Sequence, residues 1–168
     1  PRGAHPGEFE HLVGAGGEHA VGLAGHRELG ADAAVDYTAD DWPDRVREAA
    51  PNGVDVVLDS VSGEIRRRSF GLLAPFGRVV VYGAASGDIG EIAVTDLFMM
   101  HSVAGFSLLA YRAAAPKQAA DEVTELTGHF AAGRLRTSVH TRLPLAEVAA
   151  AHRILESRAN LGRVLLVP

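Results

Sequence analysis

Glycines and histidines near the start of the chain are the first residues whose types and spacing could do chemistry. Gly14, Gly16 and Gly17 follow a short apolar run, His11-Leu12-Val13. An acidic residue, Asp36, stands roughly twenty residues further on, as in the dinucleotide fingerprint. In such a strand-to-helix turn, backbone amides at the helix start cradle a pyrophosphate and the acidic side chain accepts from ribose hydroxyls. His19 occupies the third glycine position of that pattern, where helix and strand must approach closely. Two readings stay open: a phosphate cradle and an ordinary strand-to-helix turn.

The eight histidines are the next candidates. His101, His129, His140 and His152 lack the short spacings of a ligand pair, and His11 and His19 share no carboxylate at ligand spacing. The chain has no cysteine, which excludes disulfides and thiolate-bound zinc. No metal is expected. Ser86-Gly87 lacks the flanking glycines of a nucleophile elbow, so covalent serine chemistry is not expected either.

The elements that must position these residues alternate in type. A helix is predicted from about Glu18 to Leu29, closed by Gly30, followed by a short strand, 33–37. Asp40 or Asp41 is placed to cap a helix that carries Trp42, Val46 and Ala50 at a spacing of four, with Pro43 in its first turn. Val54-Asp55-Val56-Val57-Leu58-Asp59 and Arg78-Val79-Val80-Val81-Tyr82-Gly83 read as strands of a parallel sheet covered on both faces. Between them, 65–73 is predicted as a crossover helix ending before Pro75.

An apolar stretch follows, 103–109, and then two amphipathic helices. The first carries Ala119, Val123, Leu126 and Phe130 and stops at Gly133; the second carries Leu145, Val148, Ala151 and Leu155 behind Pro144. The chain closes on a strand, 163–167. The class is α/β, a Rossmann-like parallel sheet with flanking helices and a C-terminal helix-strand tail. Residues 1–10, rich in Pro, Gly and His, read as irregular.

Composition narrows the partners. Sixteen basic against 21 acidic residues give a net charge of −5, with no basic stripe for nucleic acid. Arg66-Arg67-Arg68 reads as the solvated face of a helix. No apolar run approaches the roughly 18 residues that cross a bilayer. The N-terminal residues lack the apolar region of a signal peptide, so a cytoplasmic protein is expected.

Longer stretches carry a family resemblance. Leu29-Gly30-Ala31-Asp32 through Val35-Asp36-Tyr37 is one such stretch, and Val54 through Val61 is another. Leu72-Leu73-Ala74-Pro75-Phe76-Gly77-Arg78 through Gly87 is the third. Ala151-His152-Arg153-Ile154-Leu155-Glu156-Ser157-Arg158 with Gly162 through Pro168 completes the set. From Gly14 onward the chain resembles the medium-chain dehydrogenase/reductase family, in its zinc-free quinone oxidoreductase and enoyl reductase branch.

The resemblance implies a partial nicotinamide-binding domain over 11–109, incomplete at its N-terminus, and a segment over 110–168 that packs on the catalytic domain in the family. Gly14 to Gly17 would then lie on the second cofactor-domain strand and its loop, facing the adenosine ribose. The first strand, its phosphate turn and the catalytic domain would precede residue 1. No catalytic residue is assigned.

The cofactor-binding positions it implies are Gly17, His19, Tyr37, Ser60, Val61, Tyr82, Gly83, Ala84, Phe106, Leu108 and Arg158. Ser107 would join Phe106 and Leu108 beside the nicotinamide and the substrate mouth. Tyr37 and Arg158 match positions used for a 2′-phosphate and point to NADPH. Glu18, where the family supplies a hydroxyl or lysine, favours NADH, and protonated His19 would partly offset it. A second departure is Ser62 in the usual glycine position.

The implied reaction is hydride transfer to a small electrophile, a quinone or an α,β-unsaturated carbonyl, by a homodimer. Residues 1–168 alone are expected to be a poor enzyme. Two rivals stand beside this: a non-catalytic remnant acting in dimerisation or interaction, and a methyltransferase using Gly14-Ala15-Gly16.

Overall fold

The computed structural model describes residues 12–15, 30–157, 160 and 162–168. The helix expected over 18–29 lies outside them. The chain divides into two compact units, residues 1–52 with 138–168 and residues 53–137.

In the first unit, β1 (Leu12–Ala15) and β2 (Ala33–Asp36) pair in parallel, Gly14 opposite Val35. Helix α1 (Trp42–Ala49) follows, and the spacing of four predicted from its sequence is realised: Trp42, Val46 and Ala50 are all buried. Asp41 sits at the N-cap without a side-chain bond to the helix amides. Its carboxylate instead accepts from Arg45 Nε at 2.9 Å, one turn on, which corrects the expected cap.

The second unit holds a three-stranded parallel sheet in the order β3-β4-β5, with β3 (Val54–Asp59), β4 (Leu73–Val81) and β5 (Ser102–Gly105). Val57, Val79 and Val103 stand opposite one another across it. Val79 is fully buried, which stabilises the sheet by roughly 1.5–3 kcal/mol. The crossover helix α2 (Gly63–Phe70) stops earlier than predicted, because Leu72 and Leu73 are already recruited by the strands. Val54 N–H donates to Leu72 C=O at 2.9 Å, and Leu73 pairs with Val54.

Between Leu73 and Arg78 the register shifts, and Phe76 takes a positive φ of 69° at the bulge. Gly53 is held at φ 84°, where a Cβ would lie 2.6 Å from the Ala74 amide. The expected double-sided burial does not hold. Period-two alternation sends Val57 and Asp59 to one face and Val56 and Leu58 to the other, where they are 48% and 67% exposed.

The apolar stretch after β4 is cut in two. β5 ends at Gly105, and α3 (Leu108–Ala114) begins after Ser107, whose hydroxyl accepts from Ala110 N–H at 3.3 Å. Helix α4 (Pro116–Ala131) follows, and Gly133 at φ 69° ends it as predicted.

Back in the first unit, β6 (Val139–Pro144) and β7 (Arg163–Val167) form a parallel pair around α5 (Val148–Glu156). Among the described residues no helix is long and apolar enough to cross a membrane.

Candidate functional site

The carboxyl ends of β3, β4 and β5 are where a parallel sheet exposes backbone to a ligand. Their adjacency is set by the ladder. Tyr82 N–H donates to Asp59 C=O at 2.9 Å, and Phe106 N–H donates to Val81 C=O at 2.8 Å. Ser60, Tyr82 and Phe106 therefore leave three neighbouring strands side by side. Tyr82 and Phe106 are about half exposed, at 51% and 48%.

Backbone bonds lace the first two ends together. Ala85 N–H donates to Ser60 C=O and Ser86 N–H to Val61 C=O, each at 3.0 Å. Gly83 is needed for this closeness, since a Cβ there would lie 2.7 Å from the Ser60 carbonyl oxygen. Its missing side chain thus serves an approach within the chain itself.

The turn after β3 is shaped by Asp59, which is buried. One of its carboxylate oxygens accepts from Val61 N–H at 2.9 Å and from Ser62 N–H at 2.8 Å. Folded back this way, Ser62 takes φ 65° and ψ −163°, a conformation kept almost entirely for glycine. The strain is roughly 1–3 kcal/mol for a residue with a side chain. The departure noticed in the sequence, serine where the resemblance has glycine, falls on this backbone position. The Ser62 hydroxyl is buried and donates to Gly83 C=O at 2.9 Å.

Arg66 corrects the expectation of a solvated arginine face. It is 4% exposed and bonded to the Ile89 carbonyl. Arg67 alone follows the expected pattern among the two whose pairing is described, with Nε at 2.7 Å from Glu64 on the surface. That bond holds the Glu64 carboxyl below its ordinary pKa.

The positions proposed from sequence are distributed as follows. Ser60, Val61, Tyr82, Gly83, Ala84, Phe106 and Leu108 all lie at or just beyond the carboxyl ends of the three strands in the second unit. Tyr37 directly follows β2 in the first unit. Gly17, His19 and Arg158 lie outside the described residues.

Asp36, the acidic residue of the fingerprint reading, is engaged locally: one carboxylate oxygen accepts from Thr38 N–H at 2.8 Å and from its hydroxyl at 2.7 Å. Sequence reasoning missed Arg66 and Tyr111. The Tyr111 ring stands 5.8 Å from that of Phe106, and its hydroxyl donates to Glu122 at 2.7 Å, raising the phenol above its usual pKa. A tyrosine one turn into an unpredicted helix gave no signal in the sequence.

Three adjacent strand ends and two half-exposed aromatic rings thus stand together at one end of the sheet. Among the described residues no group of three His, Cys, Asp or Glu side chains is arranged to hold a metal ion.

Comparison with known proteins bears on the family and the fold. The profile described as zinc-binding dehydrogenase matches residues 29–166. The chain is 30% identical over 159 residues to the synaptic vesicle membrane protein VAT-1 homolog of Rattus norvegicus, covering 84% of this chain and 39% of that protein. It is 33% identical over 145 residues to a 2-haloacrylate reductase of Burkholderia sp, covering 84% and 44%. The chain thus spans less than half the length of these curated relatives.

Among solved structures, the mycobacterial Rv1454c complexed with NADPH superposes with a TM-score of 0.81 at 26% identity, over 94% of this chain and 56% of that one. A quinone oxidoreductase of Pseudomonas syringae pv. Tomato DC3000 gives 0.79 at 27% identity, over 94% and 49%. With profile, relatives and fold in agreement, the chain belongs to the zinc-binding dehydrogenase family, the medium-chain dehydrogenase/reductases, with quinone and enoyl reductases among its relatives.

Proposed function

We propose that this chain is the nicotinamide-binding part of an NADPH-dependent reductase that transfers hydride to a quinone or an α,β-unsaturated carbonyl. The observation that carries the reading is the side-by-side placement of Ser60, Tyr82 and Phe106 at the ends of three parallel strands. Relatives named as a 2-haloacrylate reductase and a quinone oxidoreductase support the substrate class, and a neighbour complexed with NADPH supports the cofactor.

In this reading residues 11–109 form the cofactor domain and residues 110–168 the segment that meets a catalytic domain. Bound NADPH supplies the hydride. The chain's own residues orient and shield it. Ser60 offers its hydroxyl to the adenine-ribose side, with the Val61 side chain beside it. Tyr82, Gly83 and Ala84 present a flat backbone edge to the nicotinamide side. Phe106 and Leu108 exclude water from that end.

Tyr37 and Arg158 select the 2′-phosphate, with Gly17 and His19 beside the adenosine ribose. The cysteine-free sequence leaves the zinc of the family's name without thiolate ligands here.

A second reading, a partner-binding or dimerising module without catalysis, is favoured by exposed apolar side chains at Phe98, Met99, Met100, Phe106 and Leu109. Fluorescence titration separates the two. Saturable binding of NADPH, tighter than that of NADH, supports the first reading, and no saturation with either sinks it. Steady-state NADPH oxidation with simple quinones should be slow for residues 1–168 alone. Sedimentation reads the homodimer.

A further inference from the structure

The buried polar residues among those described are Asp59, Ser62, Arg66 and Ser69, and the first three form one connected cluster. Arg66 Nη2 donates to the Ile89 carbonyl, and Nη1 makes a long contact, 3.5 Å, with the Ser62 hydroxyl. That hydroxyl donates to Gly83 C=O at 2.9 Å and lies 3.4 Å from the second Asp59 oxygen. Residues 83 and 89 both lie in the loop that follows β4, six positions apart. Both are thereby tied to the β3–α2 turn by side chains.

Backbone geometry asks for neither side chain. A glycine at position 62 would adopt φ 65° without strain. An apolar residue would fill the place of Arg66 without burying a charge, and no ion pair to Arg66 is formed among the described residues. What the pair contributes is hydrogen bonding to two loop carbonyls. These bonds add to two backbone bonds near the start of the loop, Ala85 N–H to Ser60 C=O and Ser86 N–H to Val61 C=O. In its far part the bonds described besides that of Arg66 are local: Ser86 Oγ with Asp88 C=O at 3.0 Å, and Gly90 N–H with Asp88 Oδ1 at 2.8 Å. Residues 84–90 are otherwise exposed.

We propose that Ser62 and Arg66 form a clasp that holds the 83–90 loop against the β3–α2 turn and so presets the backbone edge offered to the cofactor. Both are positioning residues, acting through Gly83 and Ile89. The role in binding rests on the nicotinamide reading given above; the clasp itself does not.

The test uses the whole chain as wild type, Ser62→Gly, Arg66→Met and Arg66→Lys. Amide hydrogen exchange at Ala85 and Ser86 reports the clasp, and NADPH fluorescence titration reports its consequence. Losing one net hydrogen bond of this kind corresponds to about a fivefold change in an equilibrium. Ser62→Gly removes strain and hydroxyl together. It is expected to keep or raise the thermal midpoint while speeding exchange and weakening NADPH by about that factor.

Arg66→Met should do the same to exchange and affinity, with Arg66→Lys recovering part of both. Unaltered exchange in Ser62→Gly and Arg66→Met overturns the clasp. Faster exchange with unmoved affinity, in a wild type that binds NADPH, overturns the positioning role. A wild type that binds neither NADPH nor NADH removes the cofactor reading, and the exchange ratio then upholds or sinks the clasp by itself.

Discussion

Two strand-helix-strand units of similar build, β3-α2-β4 and β6-α5-β7, differ in where their constraints sit. In the first, Gly53 is tight at the amino end, but a second tight glycine and the buried polar cluster gather at the carboxyl end: Gly83 against Ser60, with Asp59 and the two clasp residues, Ser62 and Arg66, buried beside them. In the second, tight packing of this kind is described at the amino end alone. Arg163 N–H donates to Ser138 C=O at 3.0 Å, and a Cβ on Gly162 would meet the Ser138 carbonyl oxygen at 2.5 Å. No buried polar residue is described in that unit. Ligands of parallel α/β sheets gather at carboxyl ends, so constraint there serves a site and constraint at the amino end serves stability.

Substitutions at the two glycines put that contrast at risk. Gly162→Ala places a methyl into backbone at φ 92° and is expected to cost about 3 kcal/mol in urea unfolding. NADPH affinity of the folded fraction should stay unchanged. Gly83→Ala has a clash of 2.7 Å but no positive φ, and should cost less, about 2 kcal/mol. NADPH affinity should fall by about tenfold, as expected for a misplaced binding edge. If Gly162→Ala weakened NADPH as much, the division between site and scaffold would fail.

A milder change sharpens it. Phe76 is 72% exposed and strained at φ 69°, at the amino end of the same sheet. Phe76→Gly should stabilise by about 1 kcal/mol or be neutral, leaving affinity alone. The smallest effect concerns Tyr111. Its hydrogen bond to Glu122 favours the protonated phenol. Its stabilising contribution is complete below the ordinary tyrosine pKa, near 10.0, and drains away as pH rises through the raised value. Phenolate absorbance should show that late titration, and Glu122→Ala should bring it down toward the ordinary value.

Much of this was legible beforehand, for physical reasons that differ by element. The run 54–59 and the run 163–167 are dense in β-branched and apolar residues, and both are strands. Trp42, Val46 and Ala50 repeat at the helical period and share a buried face. β6 escaped because its alternation is carried by His140, Thr141 and Arg142, whose types hide a half-buried strand. α3 escaped because Phe106, Leu108 and Leu109 read as a continuation of β5, and only the Ser107 cap marks the break.

At the site, the strand ends could be located, since strands announce where they stop. The inward turn of Arg66 could not. Three consecutive arginines on a helix point in three directions, and nothing local says which one meets a loop some twenty residues later.

Among the described strands, β3 pairs only with β4, and one of its faces carries Val54, Val56 and Leu58. An exposed apolar face of that composition invites association between molecules. Asp55, exposed on the same strand, is the negative charge that discourages it. Asp55→Val should leave the fold standing and turn a clear preparation cloudy, which light scattering at rising concentration would register.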